Sequence, residues 1–234
     1  MYRRTLAAFI MACVSVAGAA CKKAEQPAHQ ANATGVGSAD YKVVVKSTWT
    51  AATHPFEYPD GEGLSGPHFS GLIGASHNAN YSIFAEGSPP TPGLERLSEA
   101  GSHTPLDQEI QAAIAAGNAG MLVETDALRN VNDSLIAVIR VDSLHPLVSM
   151  VMMIAPSPDW FTGISSVNMM ENGQWAATRT FDLIGWDSGG DDGTTYKAPD
   201  KDTNPKKPTS RANTPHFVIN GTVVPVGTLT LTRM

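Results

Sequence analysis

Ser134-Leu-Ile-Ala-Val-Ile-Arg-Val-Asp-Ser143 and Leu147-Val-Ser-Met-Val-Met-Met-Ile154 are the two runs whose reading decides the fold. In the first, Leu135, Ala137, Ile139 and Val141 share one parity, the period-two pattern of a strand with one face buried and one in water. The second is almost wholly apolar, as in a strand buried on both faces or one closing a sandwich core. Working outward, the Val-rich run from Tyr41 to Trp49 reads as an opening strand. Shorter strands are predicted at Ser70 to Ile73, Ser82 to Ala85, Gly163 to Met169, Trp175 to Leu183 and Phe217 to Ile219, with a last one at Gly227 to Arg233. Glycine at 21 and proline at 16 supply the turns such a chain needs. The expected fold is all-β, an antiparallel β-sandwich of about eight strands.

One interruption is helical. After Pro92-Gly93, Leu94 and Leu97 share the inner side of a short turn, and Leu106 to Ile114 repeats apolar positions at helical spacing. Thr104 is the expected cap, Pro105 the first helical residue and Gly117 the stop. One or two short helices are thus expected over an end or edge of the sheet. From Tyr196 to Thr214 the chain turns to Lys, Pro, Asp, Asn and Thr with no apolar period, which predicts a long polar loop.

The amino end carries an address. Arg3 and Arg4 precede an apolar run from Leu6 to Ala17, too short to span a bilayer, and small residues lead to Cys21. Residues 1–20 are expected to be a secretory signal peptide. The Gly-Ala-Ala-Cys ending resembles a bacterial lipobox, which makes Cys21 the expected lipidation site, although Gly18 stands where that motif usually has Leu. Of the 2 cysteines, Cys13 lies inside the apolar run, so the processed chain has no internal disulfide. Residues 21–40 hold too few large apolar groups to pack and read as a flexible tether. Residues 41–234, roughly 190, suffice for one domain with a sizeable core. A formal charge of -6 with 16% charged residues disfavours a nucleic-acid partner, which needs a basic face.

Chemistry concentrates in Trp186-Asp-Ser-Gly-Gly-Asp-Asp-Gly193 and in Pro156-Ser-Pro-Asp-Trp160. Glycines that adopt positive φ let such a loop turn its carboxylates inward, and a hard cation such as Ca²⁺ takes six to eight oxygen ligands. Asp159, Asp187 and Asp191 are the candidate ligands. The alternative for the same residues is a solvated Asp-Gly turn, and no Glu closes a twelve-residue EF-hand loop.

The ordered set of motifs resembles the spondin domain, the amino-terminal module of F-spondin-like matrix proteins that also occurs alone in secreted bacterial proteins. The residues that carry it are Trp49 with His54-Pro55 and Tyr58-Pro59, then Ile73-Gly-Ala-Ser-His77, the segment from Glu95 to Gly101, and His145-Pro-Leu-Val-Ser149. Most specific are Met153 to Gly163, which contains Pro-Ser-Pro-Asp-Trp, and Asp187 to Tyr196. The likeness covers roughly residues 41 to 200 and fits the final strands less clearly. It implies an eight-stranded sandwich and a calcium site built by Asp159, Asp187 and Asp191. Asp192 is extra to the family's pattern and is a candidate additional ligand. Carboxylates so close repel unless a cation neutralises them, so calcium removal is expected to loosen these loops.

The expected function is a calcium-binding adhesion or ligand-binding module outside the cytoplasm, in the periplasm, on the bacterial outer membrane or secreted. By the same resemblance its partner is expected to be a polysaccharide or glycosaminoglycan-like chain; the Cys21 motif implies membrane contact through a lipid anchor only, and a monomer is expected. The competing class is an envelope hydrolase or metalloenzyme centred on His54, His68, His77, His103 or His145. Gly74-Ala-Ser-His-Asn78 lacks the second glycine of a nucleophile elbow, and no His pair has zinc spacing, so no enzyme is expected. The four tryptophans and Met150, Met152, Met153, Met169 and Met170 are expected to fill the core.

Overall fold

A computed structural model describes residues 37–234. The expected signal peptide, Cys21 and most of the expected tether lie outside the described residues. The long strands are β1 (Ala39–Ser47), β2 (His68–His77), β3 (Ala119–Leu128), β4 (Ser134–Val141), β5 (Leu147–Ala155) and β6 (Trp160–Asn168). A small hairpin, β7 (Met170–Glu171) with β8 (Gln174–Trp175), precedes β9 (Thr178–Leu183), β10 (Gly185–Asp187) and β11 (Ser210–Arg211). A second hairpin, β12 (Val218–Ile219) with β13 (Thr222–Val223), leads to β14 (Gly227–Arg233). Two helices, α1 (Pro92–Ala100) and α2 (Leu106–Ala115), lie between β2 and β3.

The strands form a four-stranded sheet in the order β4-β1-β14-β9 and a six-stranded sheet in the order β11-β10-β6-β5-β2-β3, with every pair antiparallel. β1 is interior to the first sheet, paired with β4 along one side and with β14 along the other. Its first residues lie beside the end of β14, where Tyr41 opposes Arg233 and Asp40 O accepts the Met234 amide at 2.9 Å.

The alternation read in residues 134–141 is observed, with Leu135, Ile139 and Val141 buried and Ile136, Val138 and Arg140 exposed. These inward side chains join Tyr41, Val43, Val45, Leu229 and Leu231 against Val148, Met150, Met152 and Ile154 of β5, which fills the space between the sheets. Each such aliphatic side chain contributes about 1.5–3 kcal/mol on burial. β5 is buried on both faces. Its Val151, with Ile73 and Phe161 from its neighbours, turns the other way, onto Leu94, Leu97, Leu106 and Ile110. The helices therefore cover the outer face of the six-stranded sheet and make a third layer, where an end or edge position was expected.

Other differences have local causes. The first strand starts at Ala39, so the last residues of the expected tether belong to the sheet, and Asp40 pairs with Arg140 at 2.7 Å. Helix α1 is capped by Thr91, which accepts the Leu94 amide, and stops at Gly101 with φ 65. Pro105, not Thr104, stands at the cap of α2, and no side-chain bond is made there. Residues 82–85 form no strand: Ile83 and Phe84 are buried as a loop within the layer between helices and sheet. The strand expected from Trp175 to Leu183 is interrupted at Ala176 and Ala177, and the polar segment 196–214 folds back with Thr203, Thr209 and Ala212 buried. Trp49, Trp160 and Trp175 are buried, as are Met150, Met152, Met153 and Met169.

Candidate functional site

The site begins with a turn. Ser157 Oγ accepts the Trp160 amide at 3.1 Å, which bends the chain into β6 and turns Asp159 inward until it is 0% exposed. Strand β10 then brings its own acid alongside, because Asp187 pairs with Trp160 across the ladder. Beyond the ladder Ser188 to Asp191 wrap around Asp159. Its Oδ2 accepts the Ser188 hydroxyl at 2.9 Å and the amides of Gly189, Gly190 and Asp191 at 2.9, 2.8 and 3.2 Å. Consecutive amides converging on one oxygen form an anion nest. Gly189 is required for it: φ is 86, and a Cβ there would lie 2.2 Å from the Lys207 carbonyl oxygen.

The other half of this carboxylate is different. Asp159 Oδ1 is buried and has no hydrogen-bond partner. Leaving a buried polar atom unpaired costs about 1–3 kcal/mol, and more for a charged group, so the atom calls for an explanation. Asp187 is adjacent, and its Oδ1 shares the Gly189 amide at 2.9 Å. Burial, then the neighbouring Asp159 charge, push the Asp187 carboxyl up to about 6. Burial also raises Asp159 in spite of its four donors.

Asp191 and Asp192 face other partners. Asp191 is buried, and its two oxygens accept the amides of Gly193 and Lys201, each at 2.5 Å. Asp192 turns outward to Lys207, Lys201 and Thr203, and the Lys207 contact holds its carboxyl below the usual range.

Sequence reasoning gave no role to the residues that complete this end of the molecule. Helix α1 lays Glu95, Ser98 and Glu99 on the Ser188–Gly190 turn. Ser98 Oγ lies 2.9 Å from Ser188 Oγ, and a Cβ on Gly190 would meet Glu99 Oε1 at 2.8 Å. Ligand oxygens of Glu95, Glu99 and Asp202 lie within 4.8 Å of one another; among the described residues no other three acids, histidines or cysteines meet that limit, and the expected set of Asp159, Asp187 and Asp191 does not. Burial, then Glu95, push Glu99 up to about 7. The signal in the sequence was an i, i+4 pair of acids on a helix with buried Leu97 and Ser98 between them. A cleft of about 260 Å³, lined by Glu99, Ser157, Pro158 and Asp200 among others, opens this end to solvent.

The histidines are engaged singly. His54 Nε2 lies 3.2 Å from the Val224 carbonyl, His145 pairs with Asp142, and His216, which sequence reasoning passed over, pairs with Glu57. His77 Nε2 lies 2.8 Å from Ser149 Oγ, but both residues are 0% exposed and Ser149 Oγ also accepts the Ser166 amide at 2.8 Å. A nucleophile must reach its substrate, and this pair reaches none.

The six-stranded sheet, the four-stranded sheet apart from β14, the Pro-Ser-Pro-Asp-Trp turn and the Asp-Ser-Gly-Gly-Asp loop fall inside one family model, Spondin_N, which matches residues 39–217. The chain belongs to the Spondin_N family. Spondin-1 of Rattus norvegicus is 31% identical over 176 residues, which is 73% of this chain and 21% of spondin-1. Spondin-1 of Homo sapiens is likewise 31% identical, over 178 residues. Spondin-2 of Homo sapiens is 29% identical over 208 residues, 84% of this chain and 62% of spondin-2. The chain thus spans about a fifth of the length of spondin-1 and under two thirds of that of spondin-2. The Spondin_N match reaches past residue 200 and takes in Glu95, Glu99 and the loop through Lys207.

Proposed function

We propose that this Spondin_N domain is a calcium-dependent binding module that acts outside the cytoplasm, and that calcium is held by Asp159, Asp187 and Asp191. The observation that carries the reading is the divided carboxylate of Asp159, with Oδ2 saturated by four donors and Oδ1 buried without a partner. A cation beside Oδ1 removes that cost and the repulsion from Asp187 together. The donor set suits it: carboxylate oxygens with carbonyls and solvent nearby, and no sulfur or imidazole, match a hard ion rather than zinc. Each Asp191 oxygen uses one lone pair on an amide and keeps another. Glu99 lies against Gly190 at the edge of this loop, and Asp192, committed to Lys207, takes no direct part.

Three carboxylates do not fill six to eight oxygen positions, which leaves places for hydroxyl or sulfate oxygens of a sugar. The proposed partner is accordingly a polysaccharide or glycosaminoglycan-like chain bound at this loop end, with the module tethered to a bacterial envelope through Cys21. The test is calorimetric titration of the chelated chain with calcium, beside an Asp187→Ala, Asp191→Ala variant. Saturable binding with Kd on the order of 10⁻⁴ to 10⁻³ M, lost in the variant, is the expected result. A folded chain that takes up no calcium would defeat the reading.

A further inference from the structure

Lys206 comes from the polar loop that sequence reasoning left without a role, and its ammonium sits among the acids of this site. It forms an ion pair with Glu95 Oε1 at 2.7 Å and donates to the Gly190 carbonyl at 3.2 Å and to Asp202 Oδ1. An ammonium has three N–H donors, and three acceptor oxygens surround this one. Two of those acceptors belong to the Glu95, Glu99 and Asp202 group. The third is the carbonyl of the turn that wraps Asp159.

The position is fixed by backbone as well as by charge. The Thr203 amide donates to Gly190 O at 2.8 Å and the Lys207 amide to Gly189 O at 2.9 Å, so the segment holding Lys206 is clamped to the turn on both sides. The adjacent Lys207 points away, to Asp192. Surface lysine pairs are usually loose and weakly coupled; this one is only 25% exposed, as is its partner Glu95.

We propose that Lys206 is a tethered cation that neutralises the carboxylate end of the domain when calcium is absent and is expelled from it when calcium binds. The inference rests on the calcium reading above. A divalent ion drawn to Asp159, Asp187 and Asp191 brings positive charge against the ammonium on the Gly190 carbonyl, which then leaves Glu95 and Gly190. Calcium and Lys206 thus compete, and affinity is set by their difference. Coupled equilibria of this kind shift affinity by roughly 5–150-fold.

The test compares the wild-type chain with Lys206→Met, which keeps the aliphatic stem, and Lys206→Arg, which keeps the charge. Lys206→Met is expected to bind calcium roughly fivefold or more tightly and to melt at a lower temperature in chelator but not in saturating calcium, while Lys206→Arg stays close to wild type. A second measurement needs no variant: amine acylation read by mass spectrometry is expected to modify Lys206 slowly in chelator and faster in calcium. Calcium binding by the wild type with unchanged affinity in Lys206→Met, or Lys206 reactivity that ignores calcium, overturns this inference and leaves the calcium site standing. A wild-type chain that binds no calcium overturns both.

Discussion

The space between the two sheets and the turn around Asp159 are both closed to water, yet they are held by opposite means. Between the sheets, Val43, Ile139, Met150 and Leu229 are buried with nothing polar to satisfy. That region's stability is area removed from water, indifferent to ions and pH. Around Asp159 a charge is buried instead, held by a hydroxyl and three amides on one oxygen and left exposed to repulsion on the other. Burying a charge without a counter-charge is costly, so the turn is conditional on what neutralises it. One region is closed by apolar area, the other by hydrogen bonds to a buried charge.

The largest expected effect tests the unresponsive side. Leu229→Ala should cost about 2–5 kcal/mol by thermal unfolding, and by the same amount with chelator or with calcium. A calcium-dependent loss there would break the contrast. Next, Gly189→Ala forces a side chain onto φ 86 and against the Lys207 carbonyl. It is expected to lower stability by about 1–3 kcal/mol, and to abolish calcium stabilisation while leaving the sheets folded, which circular dichroism with calcium titration would check.

Acidity should separate the regions further. Asp187 and Glu99 have folded values raised from 3.8 to about 6 and from 4.5 to about 7. A carboxyl raised on folding supports the fold most below its unfolded value and loses that support as pH climbs through the folded one. In chelator, melting temperature is therefore expected to fall as pH rises from about 4 to about 7 through this pair, and calcium should remove most of the fall. A rising curve in chelator would contradict the burial of these acids. The smallest effect is at the surface: breaking the Asp40–Arg140 pair with Arg140→Ala should change stability by about 0.2–1 kcal/mol, less so in high salt, with no bearing on calcium.

The contrast also explains what the sequence made legible. Alternation is a local signal with a local cause, so the facing of residues 134–141 is legible in the sequence, residues 227–233 are legible as a strand, and the apolar run at 147–154 announces burial. Strand β3 was missed because it is an edge strand whose pairing with β2 carries bulges, and Glu124, Thr125 and Asp126 erase its period. The apolar faces of α1 and α2 were visible, but periodicity does not say which surface a face covers. Ile83 and Phe84 show the converse, since their apolar character reported burial and not extension. At the site, Asp159, Asp187 and Asp191 were legible as candidate ligands because proline and glycine punctuate the chain around them. Glu95, Glu99 and Lys206 were not, because only the folding of α1 and of the 196–214 loop onto the Gly189–Gly190 turn brings them there.

The placing of β1 gives the domain a mechanical polarity. One end of the strand lies at Asp40, beside Met234, and the other runs into Trp49, which packs on Tyr196 and through it on Trp160 next to Asp159. A force applied between the amino end and the carboxylate turn draws β1 lengthwise past β4 and β14, so their hydrogen bonds share the load in shear. The same force applied between residues 39 and 234 peels those bonds apart one after another. Of these two directions, the line from the amino end to the carboxylate turn is the one that loads the sheet in shear.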